Sequence, residues 1–330
     1  MAVLDVHDLQ MSYRLRHGAV RAVDGVSFRL DRGVTLGLVG ESGSGKTSVA
    51  YCLLRLLPRN AHVRGGEILL DGTDLLALPE QQMREYRWNR VSMIFQGAMN
   101  AFNPVFRVGD QIVEAIRLHK RASHAQARAR VDELFELVGL PSARVDDYPH
   151  EFSGGMKQRA MIAMALACDP DVVVADEPTT ALDVVVQDQI LEKIQELQRR
   201  LNLAMLVISH DMAMVAETCD RVAVMYAGQI VETGDTKVVF ADPRHPYTIG
   251  LVRSFPNLRG PLRHLESMPG DPPSLMSPPP ACRFAPRCPI AQPICHAEAP
   301  ALADVVPGHA SRCHFADDLS MLSRVDWADA

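Results

Sequence analysis

The stretch G-E-S-G-S-G-K-T at residues 40–47 constrains this chain more than any other. Three glycines so close together, Gly40, Gly43 and Gly45, weaken any helix or strand interior. Yet they fall between V-T-L-G-L-V (34–39), an apolar run suited to a buried strand, and T-S-V-A-Y-C-L-L-R-L-L (47–57), a helical stretch. A strand, a glycine-rich turn and a helix start, in that order, turn backbone N–H groups and the positive helix end toward one point. That is a cradle for phosphate oxygens. Lys46 is expected to reach β- and γ-phosphates and Thr47 to hold Mg²⁺, with Glu41, Ser42, Ser44 and Ser48 completing the loop and first helical turn. A chance glycine turn would match this pattern in roughly 1% of chains of this length, and the flanking elements lower that further.

The run V-V-V-A-D-E (172–177) supplies the second half of such a site. Strand-forming residues deliver Asp176 to a strand end, where a carboxylate can position Mg²⁺ through water. Glu177, next in sequence, can hold an attacking water and accept its proton. Alone, a D-E pair is as often a turn cap; beside residues 40–47 the catalytic reading is preferred.

Composition narrows the partners. The 330 residues are 47% hydrophobic and 22% charged, ordinary for globular domains, with a net charge of −6 that lacks the basic footprint of nucleic-acid binders. The start M-A-V-L-D-V-H-D has acids where an export signal needs basic and apolar residues. The apolar run A-M-I-A-M-A-L-A-C (160–168) falls far short of the ~18 residues that span a bilayer.

Short apolar runs at 34–40, 91–96, 172–178 and 204–210 read as strands buried on both faces, and 124–140 and 185–202 as amphipathic helices. The expectation is a mainly parallel α/β core. After about residue 240 the composition changes: 15 of 22 prolines lie between Pro243 and Pro307, which predicts a loop-rich or partly disordered tail. Met156, Met161 and Met164 are expected in the core. Cys52, Cys168 and Cys219 are expected as buried thiols without a functional role.

The segment F-S-G-G-M-K-Q-R (152–159), with Gln96, A-L-D (181–183) and His210 in that order, resembles the nucleotide-binding domain of ATP-binding-cassette (ABC) proteins over roughly residues 4–240. The resemblance implies a P-loop NTPase fold of the ABC ATPase type: a RecA-like core with a β-subdomain and a helical subdomain at about 97–160 (domain 1–240), and a small loop-rich, cysteine-containing region at 241–330. It implies that Ser153, Gly154 and Gly155 press on ATP held by another copy, that Gln96 serves the Mg²⁺ and water region, and that Asp183 lies at the dimer contact. It also implies that His210 bonds the γ-phosphate and Tyr13 stacks on adenine. Phe152 stands where the family usually has Leu. G-A-M-N-A-F-N-P-V (97–105) departs from the usual sequence in a region that faces membrane partners.

Within the family, Y-P-H-E-F-S-G-G-M-K-Q-R-A-M-I-A-M-A-L-A, N-A-F-N-P-V and D-P-R-H-P-Y-T-I-G-L-V-R-S-F-P (242–256) are similar to ATPase subunits of oligopeptide and dipeptide import permeases. This implies an ATP-hydrolysing subunit on the cytoplasmic membrane face, paired with a second ABC ATPase, preferably a different chain. Two transmembrane permease subunits and an extracytoplasmic solute-binding protein complete the complex. Nickel or oligosaccharide import is the alternative within the family. A soluble cassette acting on nucleic acid or in metal-centre assembly, and a non-hydrolysing scaffold, are alternatives outside it.

Cys282, Cys288, Cys295 and Cys313 are separated by 5, 6 and 17 residues, without the C-x-x-C pair common in zinc sites. Four thiols on a proline-rich segment in a reduced compartment can be ordered by a metal. The permease ATPases are similar in their tail cysteines, and some carry a [4Fe-4S] cluster, which is the expectation here. Zinc, with His296, His309 or His314 as substitute ligands, and free thiols stay open.

Overall fold

The computed structural model describes residues 2–97, 101–180, 182–254 and 268–325. Ala98–Asn100, within the divergent segment after Gln96, Ala181 of A-L-D and the last two residues of the 242–256 motif lie outside the described residues. In chain order the strands and helices are β1 (Ala2–Leu15), β2 (Gly18–Asp31), β3 (Thr35–Val39), α1 (Lys46–Leu54), β4 (Ala61–Leu70), β5 (Thr73–Asp74), α2 (Glu80–Tyr86), β6 (Val91–Ile94), α3 (Val108–Lys120), α4 (His124–Val138), α5 (Gly154–Ala165) and β7 (Val172–Asp176). They continue as α6 (Val184–Leu201), β8 (Ala204–Ser209), α7 (Met212–Thr218), β9 (Arg221–Tyr226), β10 (Gln229–Asp235), α8 (Thr236–Ala241), α9 (Pro246–Arg253), α10 (Pro293–Ala297), β11 (Ala303–Val306), β12 (His309–Ser311) and α11 (Leu319–Leu322).

The chain forms two compact units. The first comprises Met1–Leu4, Arg29–Thr35 and Leu69–Ile208. Its centre is the parallel run β6–β7–β8, with Val91 opposite Val172 and Asp176 opposite Ile208. Every residue of β6 and β7 is buried, as expected of strands covered on both faces. Helices α3, α4 and α5 pack on one another. They bury Ile112, Ile116, Leu134 and Phe135, each such side chain stabilising by about 1.5–3 kcal/mol. Helix α4 starts at a capping box of Ser123 and Gln126 and ends at Gly139, whose φ of 75° only glycine adopts readily. Phe152 is buried edge-on against Phe135, so an aromatic ring fills the site where Leu is usual.

The second unit comprises Asp5–Phe28, Leu36–Ile68 and Ser209–Ala330. Strand β3 pairs in parallel with β9, and β9 turns back into antiparallel β10. Ala227 and Gly228 make that turn with φ of 47° and 86°, the left-handed geometry two-residue hairpins require. The tail, expected to be loop-rich, contributes strands as well: β12 pairs antiparallel with β10, and β11 with β12. Their residues His309, Ala310 and Ser311 show no hydrophobic alternation, so periodicity does not reveal them.

One expectation needs correction, and one is met. Only Met161 of the three methionines on α5 is buried; Met156 and Met164 are half-buried, because the 3.6-residue period turns them to the rim of the helix face. Cys168 lies in the turn after α5 and Cys219 caps α7, while Cys52 lies within α1; burial pushes the Cys52 and Cys219 thiols up to about 12 and Cys168 to about 11, which keeps them protonated and inert.

Candidate functional site

In the second unit, Gly40–Thr47 joins β3 to α1 as the sequence predicts. A Cβ on Gly40 would come within 2.0 Å of the Met225 carbonyl oxygen, and one on Gly45 within 2.1 Å of the Ala22 carbonyl oxygen. Both glycines also have positive φ, 150° and 108°. A Cβ on Gly43 would meet nothing, which leaves that face of the loop open as a cradle. Helix α1 starts at Gly45 without a side-chain cap, and its positive N-terminal end lies at the loop. Lys46 is buried, and its Nζ donates to the carbonyls of Gly40 at 2.8 Å and Glu41 at 2.9 Å and, more distantly, to Ser44 Oγ at 3.4 Å. These residues fit a polyphosphate: a cation, a helix N-terminus and a Cβ-free wall converge on one loop.

Ser44 and Ser48 are buried, Ser42 and Gly43 exposed. Tyr13, on β1 and half-buried, shares a hydrogen bond of 3.0 Å between its hydroxyl and Ser48 Oγ, which ties it to α1. His210 is exposed, between Ser209 and Asp211, the N-cap of α7.

In the first unit, β7 ends at Asp176, 2% exposed. Glu177 follows with φ of 47°, a left-handed conformation unusual for a glutamate and typical of strain kept at functional sites. Its N–H donates to the Ile208 carbonyl at 2.9 Å. One carboxylate oxygen accepts from Gln96 Nε2 at 2.7 Å and from Thr180 Oγ1 at 2.9 Å. Two residues named from sequence 81 positions apart are thereby brought together, and Thr180 was missed.

Ser153 caps α5 by accepting from the Met156 amide at 3.3 Å, and Gly154 and Gly155 form the first helical positions. A Cβ on Gly155 would lie 2.7 Å from Val186 Cγ1 on α6, so glycine lets the two helix starts approach. Asp183 caps α6 through the Val186 amide at 3.0 Å.

In the tail, all four cysteines line one small pocket with His245, Phe284 and His314. The Phe315 amide donates to Cys313 Sγ at 3.4 Å. Burial nevertheless pushes Cys288 and Cys313 up to about 12, so a thiolate there needs a compensating positive charge. Among the described residues no group of three or more His, Cys, Asp or Glu is disposed to hold a metal ion, so zinc has no closed ligand set. The same holds for the [4Fe-4S] cluster expected from the resemblance: the four thiols line one pocket, but no ligand set for a metal is formed among the described residues. His309 lies elsewhere: its Nε2 faces the fully buried Glu232 at 2.7 Å. Glu232 also accepts from the amides of Arg244 at 2.6 Å and His245 at 3.0 Å. His296 is exposed and, like His309, does not line the cysteine pocket.

Against known proteins, residues 23–180 match the ABC transporter family and residues 231–295 the oligopeptide/dipeptide transporter C-terminal region. A probable peptide ABC transporter ATP-binding protein of Sinorhizobium fredii, y4tR, is 49% identical over 94% of both chains. The oligopeptide transport ATP-binding protein OppD of Escherichia coli is 46% identical over 94% of this chain and 93% of its own. Among solved structures, the cassette cbiO1 of Clostridium perfringens superposes with a TM-score of 0.63 at 26% identity, covering 76% of this chain and 95% of its own. The dimeric ABC transporter cassette MJ0796 gives the same TM-score at 22% identity, over 71% and 98%, and supports the fold. With the phosphate loop, the Asp176–Glu177 strand end and the capped glycine helix in place, and relatives this similar along nearly its whole length, this chain belongs to the ATP-binding subunits of ABC transporters.

Proposed function

We propose that this ATPase powers the import of peptides through separate membrane subunits. The observation that carries the solute class is the match of residues 231–295 to the oligopeptide/dipeptide transporter C-terminal region, together with peptide-transporter relatives 46–49% identical. Among the described residues no helix is long and apolar enough to cross a membrane, so translocation would fall to other chains. The partners in this reading are two permease subunits, a solute-binding protein outside, and a second, different ATPase chain, with this chain peripheral at the cytoplasmic face.

Roles follow from chemistry. Lys46 and the amides of Gly40–Thr47 grip the polyphosphate, and Tyr13 offers a ring to adenine. Thr47, Asp176 and Gln96 are the Mg²⁺ residues; the ion supplies neutralising charge to the phosphates when bound. Glu177 takes the proton of the attacking water, with Gln96 and Thr180 fixing its carboxylate. His210 bonds the γ-phosphate. Ser153, Gly154 and Gly155 serve the nucleotide of the neighbouring ATPase, and Asp183 the contact with it. Cys282, Cys288, Cys295 and Cys313 hold a [4Fe-4S] cluster that staples the tail.

Extraction in detergent tests the transporter reading: hydrophobic permease subunits should co-purify, and proteoliposomes carrying the complex should take up peptide only with ATP. Peptide-independent isolation of a soluble ATPase with no membrane partner would overturn it. For the cluster, an anaerobic preparation should contain iron and absorb broadly near 400 nm; absence of both rejects it.

A further inference from the structure

The loop C-R-F-A-P-R-C (282–288) carries a cysteine at each end and an arginine inside each cysteine. The thiols face the pocket described above; the guanidiniums make other bonds. Arg283, 8% exposed, donates to the Ala227 carbonyl and pairs with Asp24. Arg287, also 8% exposed, donates to both carboxylate oxygens of Glu41, at 2.9 and 3.0 Å. It also donates to the carbonyls of Pro269 at 3.0 Å and Met268 at 3.4 Å, and to Tyr226 Oη at 3.4 Å. Burial opposes its charge, but the hydrogen bonds to Glu41 and Tyr226 outweigh that and hold its pKa up.

Glu41 is the second residue of the phosphate loop, and three groups fix it. Its side chain is held by Arg287. Its N–H donates to Tyr247 Oη at 2.8 Å, from α9 of the tail. Its carbonyl accepts Lys46 Nζ at 2.9 Å. The tail therefore holds the residue that in turn holds the lysine. A paired fork of two N–H···O bonds sets the plane of the carboxylate, which a point charge cannot do. Left unpaired, a carboxylate beside a polyphosphate site would repel the ligand by simple Coulomb interaction.

We propose that Arg287 is a positioning residue for ATP: mounted on the cysteine loop, it neutralises and fixes Glu41 and so keeps Gly40–Lys46 in its binding shape. The inference rests on the phosphate-loop reading of residues 40–47. It is tested by steady-state ATP hydrolysis in the complete transporter complex, comparing Lys46→Ala, Arg287→Ala, Arg287→Lys and the double variant Arg287→Ala/Glu41→Ala. Arg287→Ala should raise KM for ATP about tenfold, the loss of one charge-assisted pair, while kcat stays within about twofold. Arg287→Lys, which restores charge without the fork, should recover part of that loss. The double variant should be no worse than Arg287→Ala alone, because the unpaired carboxylate is gone. An unchanged KM in Arg287→Ala, or effects that add in the double variant, overturns the proposal. So does a loss confined to kcat and unfolding temperature, which marks a merely structural role. If Arg287→Ala does not fold, Arg287→Lys decides: a raised KM at constant kcat supports the role, and a wild-type KM refutes it. Lys46→Ala separates the two levels, since near-normal binding in that variant would bring down the phosphate-loop reading itself.

Discussion

The phosphate loop and the cysteine loop, both in the second unit, hold their shapes by opposite means. Residues 40–47 are shaped by backbone: Gly40 and Gly45 press against carbonyls of Met225 and Ala22 at distances no side chain tolerates. Residues 282–288 are shaped by side chains that reach across the sequence, Arg287 to Glu41 over 246 positions and Arg283 to Asp24 over 259. The first is written into adjacent residues and the second into distant ones. The two should respond differently to substitution.

The largest effect is expected at the backbone-shaped loop. Gly45→Ala would drive a methyl into the Ala22 carbonyl at positive φ, and should abolish ATP binding and cost about 3 kcal/mol or more, read by nucleotide titration and urea unfolding. Next comes the buried acceptor that joins β10 to the tail. Glu232→Gln replaces an acceptor of two amides and His309 with a group that must also donate, and should cost about 2 kcal/mol, with protease cutting appearing first within 268–325.

A side-chain network open to solvent, in the first unit, should matter less. Asp171 is bonded by Arg32 at 2.6 Å and by Arg90. Burial raises its pKa, but the hydrogen bonds and charges of the two arginines lower it more. A depressed carboxylate stabilises the fold above the unfolded pKa near 4, and that contribution is lost as pH falls through the lower folded value. Asp171→Asn should therefore cost about 1 kcal/mol or less at pH 7, after solvent screening, and the gap from wild type should close in acid unfolding curves. The smallest effect is expected at Pro286, exposed on the cysteine loop. Pro286→Ala should cost under about 1 kcal/mol, because arginines rather than the ring hold the loop.

How much could be read from the chain follows the same division. The strands at 35–39, 91–94, 172–176 and 204–209 and the helix at 124–138 fall within the segments that periodicity marks, and the helix at 184–201 matches its segment to within one residue, because each is defined by neighbouring residues. Gln96 and Glu177, each singled out from sequence, meet in a hydrogen bond that the sequence does not specify. Arg287, Thr180 and the Glu232–His309 pair were not legible: nothing in C-R-F-A-P-R-C says where its guanidiniums end, and a polar strand such as His309–Ser311 has no hydrophobic signature. The closeness of the four thiols was legible only as spacing; their convergence on one pocket, with the Phe315 amide aimed at Cys313 sulfur, belongs to the fold.

The account turns on Glu177 as the group that accepts the proton of water, held in a strained backbone and fixed by Gln96 and Thr180. Single-turnover ATP hydrolysis by the assembled complex carrying Glu177→Gln tests it directly. Turnover should fall about 100-fold or more while ATP binding stays within about twofold of wild type. Hydrolysis at the wild-type rate in that variant would contradict the account.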